Sequence, residues 1–262
     1  MIPKIIHYCW FGRNPLPEFA KKYIESWKRC LPNYEIKEWN EDNFDVNIIP
    51  YTSEAYKEKK YAFVSDYARY WILYKYGGLY FDTDVELIKP MNMIIENGSF
   101  MGCEHRAGKG IRVAPGLALG ARKQMKIYEE LIEMYSDLHF VNDDGTYNLL
   151  NIVDRTTGLF RRHGLKDVDV IQTVAELNIY PEEYFCPMNR FTLETNITDK
   201  TVSIHHYDAS WQSPETKWVQ RLTYRLSWLP KGPYIVKFLG AVKYRGVLEG
   251  IKEIFIWLNN KR

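Results

Sequence analysis

Residues 74–87 read YKYGGLYFDTDVEL, and they hold a helix stop, a buried strand and two like charges within fourteen positions. The spacing predicts an unusually aromatic helix over Tyr61–Tyr76, with Gly77-Gly78 as its C-terminal stop. Leu79 to Phe81 follows as a short buried strand, with Asp82 and Asp84 at its carboxyl end. Strand alternation points both aspartates to one side. Two carboxylates placed so repel each other unless a cation lies between them, and such oxygen ligands suit Mg²⁺ or Mn²⁺ carrying substrate phosphates. Open α/β sheets bind ligands beyond the carboxyl ends of their strands. The stretch therefore predicts a metal bridging the protein to a nucleotide diphosphate.

Working outward, Lys4 to Trp10 reads as a buried strand, and Gly12 to Pro17 as the loop that ends it. Glu18 to Cys30 carries Phe19, Tyr23 and Trp27 at spacing four, one face of a helix. Pro32-Asn33 breaks it, and a strand resumes from Tyr34. Strand, helix and strand in so short a span make a βαβ unit, hence a parallel sheet. Val85 and Leu87 suggest a further short strand before Pro90. Beyond it, strands are expected over Gly116–Ala121, Val168–Val174 and Val202–His206, and a helix over Gln124–Tyr135. The fold class is thus α/β, a mainly parallel central sheet flanked by helices. From Pro230 the sequence turns Gly-punctuated, aromatic and basic. We expect a domain over residues 1–229 and a helical, basic extension over 230–262.

The 262 residues are 46% hydrophobic and 26% charged, as in an ordinary soluble protein. The 20 Tyr and 8 Trp suit sugar stacking as well as a large core. Cys9, Cys30, Cys103 and Cys186 form no Cys-x-x-Cys pair, which argues against a zinc knuckle or a disulfide framework. The start lacks a basic segment leading into an apolar one, and no apolar run approaches the roughly 20 residues that span a bilayer. A cytoplasmic protein is expected. The net charge of +2 hides an asymmetry, because Lys217 to Arg262 holds ten basic residues against Glu249 and Glu253. Such a tail points to an anionic membrane surface as partner. Nucleic acid is not an expected partner, and no glycine-rich phosphate loop near the first strand supports a nucleotidyltransferase.

Three neighbours could serve the aspartate pair. Asp66 and Arg69 lie three apart on one helix face and can pair while leaving groups for hydroxyls; the alternative is a plain surface ion pair. The segment IHHYDASW (204–211) ends a strand in His205 and His206, either of which could complete a metal site, ahead of Trp211. Trp10 ends the first strand as a stacking surface or as a core residue.

In this order the segments IPKIIHYCWFG, FVSDYARYWILYKYGGLYFDTDVELIKP and IHHYDASW resemble glycosyltransferase family 32. That family includes bacterial capsular-polysaccharide transferases and yeast-type initiating mannosyltransferases, and is related to the glucosyltransferase domain of large bacterial toxins. The resemblance implies a GT-A, Rossmann-like fold, a nucleotide-sugar donor, Mn²⁺ or Mg²⁺, and retention of anomeric configuration. It implies metal binding by Asp82, Asp84 and His206, with His205 the alternative, and sugar-hydroxyl binding by Asp66 and Arg69. Trp10, Tyr80 and Trp211 match donor-side positions. Thr157 and Gly158 match an acceptor-side Thr-Gly-Pro in which Leu159 replaces the proline. The expected activity is hexosyl transfer, from a UDP-linked donor, to a glycan or lipid-linked oligosaccharide in surface polysaccharide synthesis. The rivals are a toxin-like protein O-glycosyltransferase and a non-catalytic sugar- or membrane-binding module.

Overall fold

The computed structural model of the chain describes residues 1–106, 110–189, 192–208, 214–226, 228–229 and 232–252. The strands are β1 (Ile5–Cys9), β2 (Glu35–Trp39), β3 (Gly78–Tyr80), β4 (Val85–Leu87), β5 (Phe100–Arg106), β6 (Gly110–Val113), β7 (Leu119–Ala121), β8 (Gln172–Val174), β9 (Leu177–Tyr180) and β10 (Ser203–His205). The helices up to β5 are α1 (Glu18–Cys30), α2 (Pro50–Lys57), α3 (Tyr61–Tyr76) and α4 (Asn92–Glu96). Those that follow are α5 (Lys126–Glu133), α6 (Ile152–Arg162), α7 (Glu182–Phe185), α8 (Pro214–Arg225) and α9 (Gly232–Arg245).

The central sheet runs β2-β1-β3-β7-β5-β9-β8, with β6 paired to β5. Strands β2, β1, β3, β5 and β9 point one way, and β7, β6 and β8 run against them. The expected mainly parallel α/β sheet is present. Because β2 and β3 lie on opposite sides of β1, the chain reverses its direction of winding between β1 and β3. A crevice opens at such a switch point beyond the carboxyl ends of the strands. Trp10 and the Asp82–Asp84 segment follow those two ends directly.

Alternation along the inner strands sorts their side chains between two cores. Ile6, Tyr8, Leu79 and Phe81 face α1, with Ile24 and Trp27. Cys9 and Tyr80 face α3 instead, with Val64, Tyr67 and Tyr70. Between β1 and its neighbours, buried His7 accepts a hydrogen bond at Nδ1 from Trp39 Nε1 at 3.0 Å. Its Nε2–H therefore donates to the Gly77 carbonyl at 2.9 Å. Burial holds the His7 pKa down to about 4, so the ring stays neutral and serves as both donor and acceptor. The glycine pair is required there. Gly77 and Gly78 have φ of +62° and +103°, and a Cβ on Gly78 would lie 2.6 Å from the Ile5 carbonyl.

A second, two-stranded sheet pairs β10 with β4 antiparallel, His205 opposite Val85. Helix α1 fastens it: Trp27 Nε1 donates to the Val85 carbonyl at 2.7 Å, and the Leu87 amide donates to Ser26 Oγ at 2.9 Å.

Several expected elements come out shorter, Lys4–Trp10 as Ile5–Cys9 and Val202–His206 as Ser203–His205 among them. Val168–Val174 is a strand only over Gln172–Val174, and Val168, Val170 and Ile171 are exposed, so nothing pairs or buries them. Gly116–Ala121 begins as a turn and becomes a strand at Leu119, and the helix over Gln124–Tyr135 spans Lys126–Glu133.

The chain divides into two compact units, Met1–Met188 with Asn196–Tyr207, and Asn189–Thr195 with Asp208–Arg262. The expected boundary at Pro230 falls inside the second. Within that unit α8 and α9 are joined by Glu215–Arg245 at 2.9 Å and by Lys243 over the Trp218 ring at 4.7 Å. Among the described residues, no helix is long and apolar enough to cross a membrane.

Candidate active site

Helix α3 sets the base of the site. Its turn from Asp66 to Arg69 faces the core, so the Arg69 side chain is only 4% exposed. A buried guanidinium must have its donors satisfied. Nε donates to the Ser65 carbonyl at 3.1 Å, Nη2 meets Asp66 Oδ1 at 3.2 Å, and Nη1 meets Asp82 Oδ1 at 3.1 Å. The Tyr80 ring lies beneath it, 4.9 Å from Cζ. The expected Asp66–Arg69 pair is thus present, but it is no surface pair. It reaches across to the strand end and clamps Asp82, which alternation along β3 directs to the same side as Tyr80. Tyr80 itself is 1% exposed, so it acts on the site through Arg69.

On the other side, β10 delivers a histidine to the aspartates. His205 Nε2 lies 3.0 Å from Asp84 Oδ1. One ligand atom each from Asp82, Asp84 and His205 falls within 4.8 Å of the others. His206, the first choice on sequence, is turned elsewhere: Nε2 meets Glu86 Oε2 at 2.9 Å and its ring stacks on Tyr23 at 4.5 Å. The cause is alternation. Consecutive side chains at a strand end point to opposite sides, so only the His205 imidazole faces the Asp84 carboxylate, while the His206 amide donates to the Asp84 carbonyl at 2.9 Å. The geometry selects His205.

Two carboxylates and an imidazole form a donor set suited to Mn²⁺ or Mg²⁺, and His205 Nδ1 is buried without a hydrogen-bond partner. Burial alone would lower the His205 pKa. The paired Asp84 carboxylate outweighs it, Asp82 and Glu104 add to the effect, and the net shift is upward. Burial likewise raises Asp82 against the pull of Arg69, with Asp84 pushing further upward. Asp66 is driven to about 7 by burial, opposed by Arg69 and Arg155 and reinforced by Asp82. A site this rich in desolvated carboxylate is poised to take up positive charge.

The remaining expected residues divide. Trp10 is partly buried at the end of β1, packed against the core that holds Ile24 and Trp27, and its Nε1 donates to the Asn14 carbonyl at 2.8 Å. Thr157 is buried in α6. Its hydroxyl donates to the Val153 carbonyl at 2.6 Å and accepts from the Val113 amide at 3.0 Å, which joins α6 to β6. Gly158 has nothing within 4 Å of where a Cβ would stand. Trp211 lies outside the described residues.

Sequence reasoning missed Gly116. The Asp82 amide donates to its carbonyl at 3.3 Å, and a Cβ on Gly116 would lie 2.3 Å from Asp82 Oδ2. Its only sequence signal is the Pro115-Gly116 turn.

Residues 17–101 match the family described as glycosyltransferase sugar-binding region containing DXD motif. Inositol phosphoceramide mannosyltransferase 3 of Schizosaccharomyces pombe is 30% identical over 146 residues, covering 53% of this chain and 40% of that protein. An uncharacterized glycosyltransferase of Acanthamoeba polyphaga mimivirus is 26% identical over 200 residues, 73% of this chain and 75% of its own. Among solved structures, the PaToxG glycosyltransferase superposes with a TM-score of 0.48 at 18% identity, covering 62% of this chain and 69% of that one. The chain thus spans well under half the length of the first of these relatives. The matched residues 17–101 include the helix, glycine-pair and Asp-x-Asp block on which the sequence resemblance rests.

Proposed function

We propose that the chain, whose residues 17–101 match a DXD sugar-binding family, is a metal-dependent, retaining glycosyltransferase of GT-A type. It moves a hexose from a nucleotide diphosphate sugar onto a glycan or lipid-linked acceptor. The carrying observation is the convergence of Asp82, Asp84 and His205 beside the Arg69 clamp, at the switch point between β1 and β3.

In this reading Asp82, Asp84 and His205 hold Mn²⁺ or Mg²⁺, which supplies charge neutralisation for the leaving diphosphate. Arg69 fixes the directions of both Asp66 and Asp82, so neither carboxylate must reorganise when the donor arrives. Asp66 offers its remaining acceptor capacity to the donor's hydroxyls, and the Trp10 face stacks on the base. Two of these carboxylates serve the metal and one the sugar, and retention, with the departing diphosphate taking the acceptor's proton, is what the family resemblance implies.

UDP is the donor nucleotide expected from the family resemblance. A second reading, mannose from a GDP-linked donor, is favoured by the fission-yeast relative, whose name specifies mannosyl transfer to inositol phosphoceramide. In the second unit, Trp228, Tyr234, Ile235 and Leu239 are exposed beside exposed Lys237 and Lys243. That mixture supports peripheral attachment to an anionic leaflet, where a lipid-linked acceptor would reside.

The test is release of sugar and nucleoside diphosphate from a panel of UDP-hexoses and GDP-mannose, with Mn²⁺ or with excess chelator. Metal-dependent turnover of one donor supports the reading. Absence of turnover and of Mn²⁺-dependent nucleotide binding across the panel rejects it.

A further inference from the structure

A charged triad, Glu104, Arg112 and Asp154, joins β5, β6 and α6. Glu104 on β5 and Arg112 on β6 are directly opposite in register and share a sheet face. Arg112 Nη1 meets Glu104 Oε1 at 2.9 Å, and Nη2 meets Asp154 Oδ1 on α6 at 2.6 Å. The Arg112 side chain is 5% exposed and the Glu104 side chain 13%. Asp154 is consumed by the start of α6: Asn151 Nδ2 donates to its Oδ2 at 2.8 Å, and its amide donates to Asn151 Oδ1 at 2.9 Å. Glu104 is not consumed, since Oε2 has no hydrogen-bond partner among the described residues.

Its location is specific. The same strand pair continues through Gly102 and Ala114, joined by an amide–carbonyl bond of 2.9 Å, into the Gly116 turn that touches Asp82. A rigid carboxylate with one free oxygen, at the wall of a sugar-transfer site, is a ready acceptor for a hydroxyl. Thr157, the residue expected on the acceptor side, has its hydroxyl engaged by two backbone partners.

We propose that Glu104 is an acceptor-binding residue, held by Arg112, whose free carboxylate oxygen takes a hydroxyl of a polyhydroxylated acceptor beside the metal cluster. The proposal rests on the glycosyl-transfer reading. The donor is bound elsewhere, so Glu104 affects transfer and not donor hydrolysis.

The experiment compares full-length wild type, Glu104→Gln and Asp154→Asn with Mn²⁺ and the hydrolysed donor from the panel. Octyl glycosides of glucose, galactose and mannose serve as acceptor probes. Glu104→Gln keeps shape and a hydrogen-bond partner for Arg112, so its melting temperature should stay near wild type. Losing one charge-assisted hydrogen bond should raise acceptor KM about tenfold or more. Donor hydrolysis without acceptor should hold within about twofold by the same reasoning. Asp154→Asn makes the same change at the other partner of Arg112 while leaving Glu104 in place, so its acceptor KM should stay close to wild type. Equal KM changes in the two variants would mark the triad as structural and overturn the proposal. So would an unchanged KM in Glu104→Gln, or parallel loss of hydrolysis and transfer. If wild type neither turns over a donor nor binds nucleotide with Mn²⁺, the glycosyl-transfer reading fails and this inference falls with it.

Discussion

Replacing Gly116 with alanine puts a methyl group against the metal cluster. The new Cβ would stand 2.3 Å from Asp82 Oδ2, 3.3 Å from Asp82 Cγ and 3.6 Å from Arg69 Nη1. Real Cβ contacts essentially never fall below 3.0 Å, so the carboxylate oxygen must retreat by about 0.7 Å. A carboxylate can swing that far more cheaply than a backbone can move, so the stability loss should stay near the low end of the roughly 1–3 kcal/mol typical of overpacking. Function has less tolerance. Metal–ligand distances are held to about 0.2 Å, and disturbing the groups that orient a ligand costs roughly 10–100-fold in metal affinity. The retreat also lengthens the Arg69–Asp82 contact, now 3.1 Å. Gly116→Ala should therefore melt within a few degrees of wild type and bind Mn²⁺ in the presence of UDP at least about tenfold more weakly. Calorimetric titration beside a thermal melt measures both. A variant that binds Mn²⁺ like wild type, Asp82 having moved freely, refutes the reasoning.

Other substitutions probe the clamp, α6 and the proton balance. Arg69→Ala takes away the cation that holds the Asp66 and Asp82 carboxyls down, so both bind protons more readily, and denaturant unfolding should show a loss that grows with pH toward about 3–5 kcal/mol where the buried carboxyls are forced to ionise; a loss under about 1 kcal/mol at alkaline pH would mean the pair is effectively solvated. Gly158→Ala adds a methyl group into open space within a helix and should stabilise by about 0.5–1 kcal/mol. If it also abolishes transfer to an acceptor, the position lies against the acceptor as the family resemblance implies. For pH, Asp66 has a folded-state pKa of about 7 against an ordinary 3.8. Between those values the folded protein keeps a proton that the unfolded chain has lost, so stability falls as pH rises and levels off above about 7. In chelator, Asp66→Asn should gain on wild type by at most about 1.4 kcal/mol per pH unit across that window. A constant difference between the two from pH 4.5 to 7 would contradict the raised pKa.

Much of the fold was legible because its first half is locally explicit. Phe19, Tyr23 and Trp27 mark α1 by spacing, and Gly77-Gly78 can hardly be anything but a stop, given their positive φ and the approach of the Ile5 carbonyl. The second half carries weaker signals. β5 and β6 are interrupted by Glu104 and Arg112, charges that break the apolar pattern of a buried strand and find their place only through the ion pair between them. The expected strand fails over Val168–Ile171 for the opposite reason, since β-branched residues there sit on the surface. At the site, the aspartate pair and the Asp66–Arg69 helix face were readable from period alone. The choice between His205 and His206 was not. It depends on the register of β10 against β4, which brings His205 opposite Val85 and beside Asp84. Nor could a sequence show that Arg69 reaches Asp82, because that contact joins a helix to a strand thirteen residues on.

The central claim is that Asp82, Asp84 and His205 together hold the divalent ion that meets the donor. Pulsed electron paramagnetic resonance of Mn²⁺ bound with UDP reads the ligands directly, through the magnetic coupling of a coordinated nitrogen. Wild type and His206→Ala should both show one imidazole nitrogen on a single bound Mn²⁺. His205→Ala should lose that coupling, and Asp84→Asn should lose the bound ion. Nitrogen coupling that survives in His205→Ala and disappears in His206→Ala, or full Mn²⁺ binding in Asp84→Asn, would contradict the account.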